Sequence, residues 1–108
     1  MFVDASAIVA IITREADWIV LSKKLAEAAT PQTSSLAVFE STLAVARLGD
    51  GSLDRARGLV ATFCANDRIE VVAVDADIGR EALNAHANFG KGRHRAKLNM
   101  GDCFAYAC

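Results

Sequence analysis

The chain has 108 residues, of which 53% are hydrophobic and 23% charged, with a net charge of −1. That length and balance suit one domain with a substantial core, and they exclude a disordered chain and an overall basic nucleic-acid coat. The three cysteines (Cys64, Cys103 and Cys108) are odd in number and lack metal-ligand spacing, so neither a disulfide framework nor a zinc site is indicated.

Reading in chain order, Met1 to Val3 is short, apolar and β-compatible, and Asp4 ends it. An acid at that position does not suit a signal peptide, and no apolar run approaches the roughly 20 residues that span a bilayer. A cytoplasmic protein without a membrane partner is therefore expected. Ala5 to Thr13 is apolar nearly all round and suits a buried helix. A second helix is expected over Glu15 to Ala29, with Trp18, Leu21 and Leu25 on one stripe. Thr30-Pro31 stops it, since proline cannot continue a helix.

Gln32 to Ser35 reads as a short strand and Leu36 to Leu48 as a helix, because Leu36, Phe39, Leu43 and Val45 to Leu48 recur at helical spacing. After the turn Gly49-Asp50-Gly51, Ser52 is placed to cap a helix over Leu53 to Ala65. Ile69 to Val74 carries β-branched residues on both faces, as a strand buried in a parallel sheet requires. Asp75 would cap a helix over Ala76 to Phe89, closed by Gly90-Lys91-Gly92. The apolar segment Cys103 to Cys108 reads as a helix that stops without a cap, so the chain looks cut. Strands alternating with helices predict a three-layer α/β/α sandwich with a parallel central sheet, in a single domain over residues 1–108 that is incomplete at its C-terminus.

Three acids sit in apolar surroundings, where a carboxylate is costly without a partner. Asp4 closes the first strand on the side of the sheet where α/β proteins bind ligands, and it can equally cap the helix from Ala5. Ser6 can cap in its place or support the Asp4 carboxylate. Glu40 lies on the face of Leu36, Phe39 and Leu43, or at an edge where it reaches solvent. Asp102 follows Gly101, either as a site acid or as a charge at a helix N-terminus. Three hard oxygen donors favour Mg²⁺ or Mn²⁺ over zinc.

Residues 1–90 carry a net charge of −4 and residues 91–108 a net of +3. The cations Lys91, Arg93, Arg95 and Lys97 immediately precede Asp102, a layout suited to a phosphate backbone approaching a metal site. A solvated basic loop is the alternative. His94 reads as a surface residue more readily than a catalytic one. No GxxxxGK[ST] or GxGxxG is present, so Gly-rich nucleotide cradles are excluded.

Phe2-Val3-Asp4-Ala5-Ser6-Ala7, Phe39-Glu40-Ser41, Phe89-Gly90-Lys91-Gly92-Arg93-His94 and Leu98-Asn99-Met100-Gly101-Asp102-Cys103-Phe104 together resemble the PIN-domain ribonucleases, especially VapC-type toxins of bacterial toxin–antitoxin modules. The resemblance spans the whole chain. It implies an endoribonuclease that hydrolyses RNA phosphodiesters, with Asp4, Glu40 and Asp102 as catalytic and metal-binding acids for Mg²⁺ or Mn²⁺ and Ser6 as the hydroxyl beside them. It also implies a cognate antitoxin protein, an RNA substrate and a homodimer; the apolar Trp18 or Leu21 is expected to contribute to the dimer contact, or else to face only its own core. The family's later strand and fourth acid have no counterpart here. The alternative is a catalytically inactive, truncated PIN domain that binds antitoxin or RNA.

Overall fold

The computed structural model describes residues 1–89. Its elements are α1 (Ala5–Ile12), α2 (Trp18–Glu27), β1 (Gln32–Ser34), α3 (Ser35–Leu48), α4 (Leu53–Asn66), β2 (Glu70–Val72) and α5 (Ala76–Phe89). The expected α/β class holds, as a mostly helical fold around a small parallel sheet. The Gly90–Gly92 helix stop, the basic loop and the segment Cys103 to Cys108 lie outside the described residues.

β1 and β2 pair in parallel, with Gln32 opposite Glu70, Thr33 opposite Val71 and Ser34 opposite Val72. On the other side of β1, the expected strand over Met1 to Val3 takes the form of a single parallel bridge from Phe2 to Gln32. The Val3 amide donates to the Gln32 carbonyl at 2.7 Å, and the Gln32 amide donates to the Met1 carbonyl at 2.9 Å. β1 is therefore central. The helix expected over Glu15 to Ala29 is shorter at both ends, and it stops at Glu27 with Ala28 already extended, before Pro31 is reached; the Pro31 carbonyl accepts the Glu70 amide at 3.0 Å and starts the β1–β2 pairing.

Side chains that satisfy nearby amides set the helix starts. The Ser52 hydroxyl accepts from the Arg55 amide at 3.2 Å, and the Asp75 carboxylate accepts from the Ile78 amide at 2.9 Å. Both caps stand where the sequence puts them. The core gathers Val3, Ile8, Val9, Leu25, Val45, Val60 and Ile69, with Ile8 fully buried. Leu25 of the α2 stripe is buried and Trp18 and Leu21 are half-buried, while Ile19 and Val20 on the same helix face solvent.

Two further sequence expectations need correction. The strand over Ile69 to Val74 contracts to three residues and is not buried on both faces, since Val71 is 48% exposed. β2 pairs on one side only among the described residues, so half of its surface has no neighbouring strand.

The stripe Leu36, Phe39 and Leu43 is not the buried face of α3. Phe39 is 60% exposed, whereas Ala37, Ser41, Thr42 and Val45 are buried. α3 packs against both α1 and α4, and small side chains allow close approach. The Ser41 hydroxyl donates to the Ala37 carbonyl and the Thr42 hydroxyl to the Val38 carbonyl, each at 2.7 Å. Those bonds remove the desolvation cost of burying two hydroxyls.

Candidate active site between α1 and α3

The geometry begins at the C-terminal ends of neighbouring parallel segments. Thr33, fully buried in β1, donates its hydroxyl to the Val3 carbonyl at 2.7 Å and so fixes the chain immediately before Asp4. Asp4 has extended backbone (φ −81°, ψ 170°) and is the N-cap of α1. Its Oδ1 accepts from the Ala7 amide at 2.9 Å and from the Ser6 hydroxyl at 2.8 Å. Its Oδ2 takes no hydrogen bond among the described residues. At the end of β1, Ser34 plays the matching part, accepting from the Ala37 amide at 3.0 Å to start α3. Two helices thus begin beside one another at one sheet edge, each with a positive dipole end there.

Glu40 lies in the second turn of α3 and is half-buried. A groove of about 450 Å³ runs between α1 and α3, lined by Ser6 and Val9 on one wall and by Glu40, Ala44 and Arg47 on the other, with Glu15 also in the lining. Small residues such as Ala44 keep it open. The structure therefore brings Ser6 and Glu40 to a common groove and ties Asp4 to it through the Ser6 hydroxyl. Asp102, Lys91, Arg93, Arg95 and Lys97 lie outside the described residues. Among the described residues no group of three His, Cys, Asp or Glu side chains stands close enough to hold a metal ion.

Glu15 and Arg47 were not singled out in the sequence. Arg14, with φ 54°, turns the chain after α1, and the Glu15 amide then donates back to the Ala10 carbonyl at 2.8 Å. That turn brings Glu15 to the groove, and nothing in the residue pattern announced it. Arg47 did have a signal, because it stands seven residues after Glu40 and so shares its helix face.

A larger cavity of about 780 Å³ lies elsewhere, between α3, α4 and β2. Its lining includes Phe39, Leu43, Leu53, Val60 and Val71 and contains no acid. It accounts for the outward stripe of α3 but offers no hydrolytic chemistry.

The PIN domain family model matches residues 1–108. The chain belongs to the PIN domain family. A VapC ribonuclease of Rhizobium meliloti is 41% identical to this PIN domain over 118 residues, covering 98% of the chain and 83% of the relative. Ribonuclease VapC of Mycolicibacterium smegmatis is 38% identical over 109 residues, covering 99% and 81%. Ribonuclease VapC42 of Mycobacterium tuberculosis is 36% identical over 108 residues, covering 99% and 80%. This PIN domain thus spans about four-fifths of each relative's length.

Proposed function

We propose that this PIN domain is a divalent-metal-dependent endoribonuclease of the VapC toxin type, cutting RNA phosphodiester bonds at the groove between α1 and α3. The observation that carries the reading is that Ser6 and Glu40 line one groove while the Ser6 hydroxyl donates to the Asp4 carboxylate, at the C-terminal edge of parallel segments. The relatives named VapC ribonuclease, aligned over nearly the whole chain, support the same assignment.

The residues present fit a hard cation. Ser6 and the Ala7 amide occupy Oδ1 of Asp4, which leaves Oδ2 without a partner among the described residues. Glu40 adds a second carboxylate, and Asp102 is assigned as the third from the sequence alone. Oxygen donors of this kind suit Mg²⁺ or Mn²⁺. When bound, such an ion supplies Lewis acidity at the phosphoryl group and lowers the pKa of water.

The protein's own contribution is placement. The Ser6 hydroxyl and the Ala7 amide hold the Asp4 carboxylate in one orientation, so little reorganisation remains when substrate arrives. Glu40, on a helix wedged between α1 and α4, is held at a fixed distance from α1 by the Ala37, Ser41 and Val45 packing. Lys91, Arg93, Arg95 and Lys97 are assigned to phosphates of the RNA strand, again from sequence. Residues 1–108 are read as one domain.

The proposed partners are the RNA substrate, a cognate antitoxin protein and a second copy of the chain. In a homodimer, the exposed Ile19 and Val20 beside Trp18 on α2 would supply apolar contact. Among the described residues no helix is long and apolar enough to cross a membrane, and a cytoplasmic site of action fits an RNA target.

The test is cleavage of single-stranded RNA by the purified protein with Mg²⁺ or Mn²⁺. Cleavage is expected, with chelator and Asp4→Asn each abolishing it. Undiminished cleavage by Asp4→Asn would overturn the assignment.

A further inference from the structure

We propose that Arg47 is a positioning residue for RNA, binding through its guanidinium a phosphate that flanks the scissile one. The inference rests on the ribonuclease reading of the groove.

Arg47 is exposed in the last turn of α3 and lines the same groove as Ser6, Glu15 and Glu40. Seven residues are almost two full turns, so Arg47 and Glu40 share a face and stand about 10.5 Å apart along the axis. That separation is too great for both to serve one phosphate through backbone proximity. Helical side chains lean toward the N-terminus, which inclines the guanidinium toward Glu40 and keeps it beside the same strand of RNA.

Charge makes the case stronger. The groove lining holds two acids, Glu15 and Glu40, and Arg47 as its cation. Two carboxylates alone would repel a polyanion. Among the described residues the ion pairs are Arg55–Asp50 and Arg80–Asp77, and Arg47 takes part in neither an ion pair nor a side-chain hydrogen bond. Its donors are therefore not spent on Glu15 or Glu40, although all three line one groove. A planar fork with five N–H donors matches two oxygens of a phosphate.

The competing explanation is structural: a cation in the last turn of a helix complements the macrodipole. That role predicts a change in thermal stability and no change in RNA binding. Groove binding predicts the reverse.

The experiment measures the Kd of a fluorescent single-stranded oligoribonucleotide in chelator across a salt series, with Arg47→Gln, Arg47→Lys and Arg57→Gln. Arg57 is also an exposed cation, and it lines the other cavity. Losing one phosphate contact lowers the log–log salt slope by about 0.7 and weakens binding about fourfold at about 0.15 M salt. Both changes are expected for Arg47→Gln, with Arg47→Lys restoring the slope and Arg57→Gln leaving it unchanged. In cleavage assays Arg47→Gln should raise KM and leave kcat unchanged.

An unchanged slope for Arg47→Gln, or an equal loss for Arg57→Gln, would overturn the inference. So would a lowered Tm with unaltered RNA binding. If the unsubstituted protein cleaves RNA and Arg47→Gln binds it equally well, only this inference falls. If the unsubstituted protein neither binds nor cleaves RNA, the ribonuclease reading falls and takes this one with it.

Discussion

Asp4 holds two roles, helix cap and proposed metal ligand, and two substitutions separate them. Asn at this position keeps a side-chain carbonyl oxygen for the Ala7 amide and the Ser6 hydroxyl, which now bond Oδ1 at 2.9 and 2.8 Å. Asn and Asp cap helices about equally well. The loss is then only a charge at the N-terminus of α1, about 0.3–0.5 kcal/mol, the low end because Asp4 is exposed. Asp4→Ala removes the cap as well, adding about 1 kcal/mol. The cap matters because the helix it starts carries Ile8 and Val9 into the core.

In a domain of this size each 1 kcal/mol lowers Tm by about 4–8 °C, so Asp4→Asn should lose about 1–4 °C and Asp4→Ala about 5–12 °C. Thermal unfolding by circular dichroism in chelator reads both. Calorimetric titration with Mn²⁺ should show both variants weakened by at least about tenfold, since losing even an outer partner of a metal site costs 10–100-fold. An Asp4→Asn loss as large as that of Asp4→Ala would refute the capping arithmetic. Unaltered Mn²⁺ affinity in Asp4→Asn would refute the ligand role.

Three further outcomes are expected. Glu40→Gln should weaken Mn²⁺ binding and leave the Tm in chelator equal or higher, because it removes one of the two acids, Glu15 and Glu40, that line the same groove; a clear fall in Tm would assign Glu40 a structural role. Ile8→Ala, at a fully buried position, should cost about 2–5 kcal/mol by denaturant unfolding with m unchanged, and a cost below about 1 kcal/mol would contradict the core described here. Burial first, and the negative charge of Asp67 second, raise the Cys64 thiol above its ordinary value of 9.0. The folded thiol therefore keeps its proton where the unfolded chain has released it, so this contribution to stability is complete below about pH 9 and declines as pH climbs beyond. Cys64→Ala should flatten that alkaline decline, and an unaltered slope would remove Cys64 as its cause.

Elements governed by local hydrogen bonds were legible in the sequence, and those governed by helix crossing were not. Ser52 and Asp75 announce their helices because a cap involves only the residue and an amide three positions on. The buried face of α3 required knowing how closely it approaches α1 and α4. Periodicity weighs hydrophobicity, so it favoured Leu36, Phe39 and Leu43 together with Val45 to Leu48, of which Val45 is buried. The crossing also selects size, and it buries Ala37, Ser41 and Thr42 while Phe39 and Leu43 turn to the cavity beside β2. Ser41 looked polar in the sequence and is neutralised by its own helix, through the Ala37 carbonyl.

The site divides along the same line. Asp4 and Glu40 stood out as carboxylates in apolar stretches, a contrast visible without coordinates. Glu15 sits among the charges of Arg14 and Asp17 and shows no such contrast, and Arg47 is a cation near the end of its helix, marked only by its seven-residue spacing from Glu40; the packing of α1 on α3 sets both in the lining with Ser6 and Glu40. The alternative raised for Asp4, that it merely caps α1, is realised in the structure and yet does not displace the functional reading. Capping and the Ser6 bond both draw on Oδ1. A carboxylate has a second oxygen, and among the described residues Oδ2 of Asp4 takes no hydrogen bond. A cap built from Ser would have met the demands of the helix equally well, as Ser34 and Ser52 do elsewhere in this chain. Aspartate differs from those two caps in keeping a second oxygen, the one that the proposed function assigns to a cation.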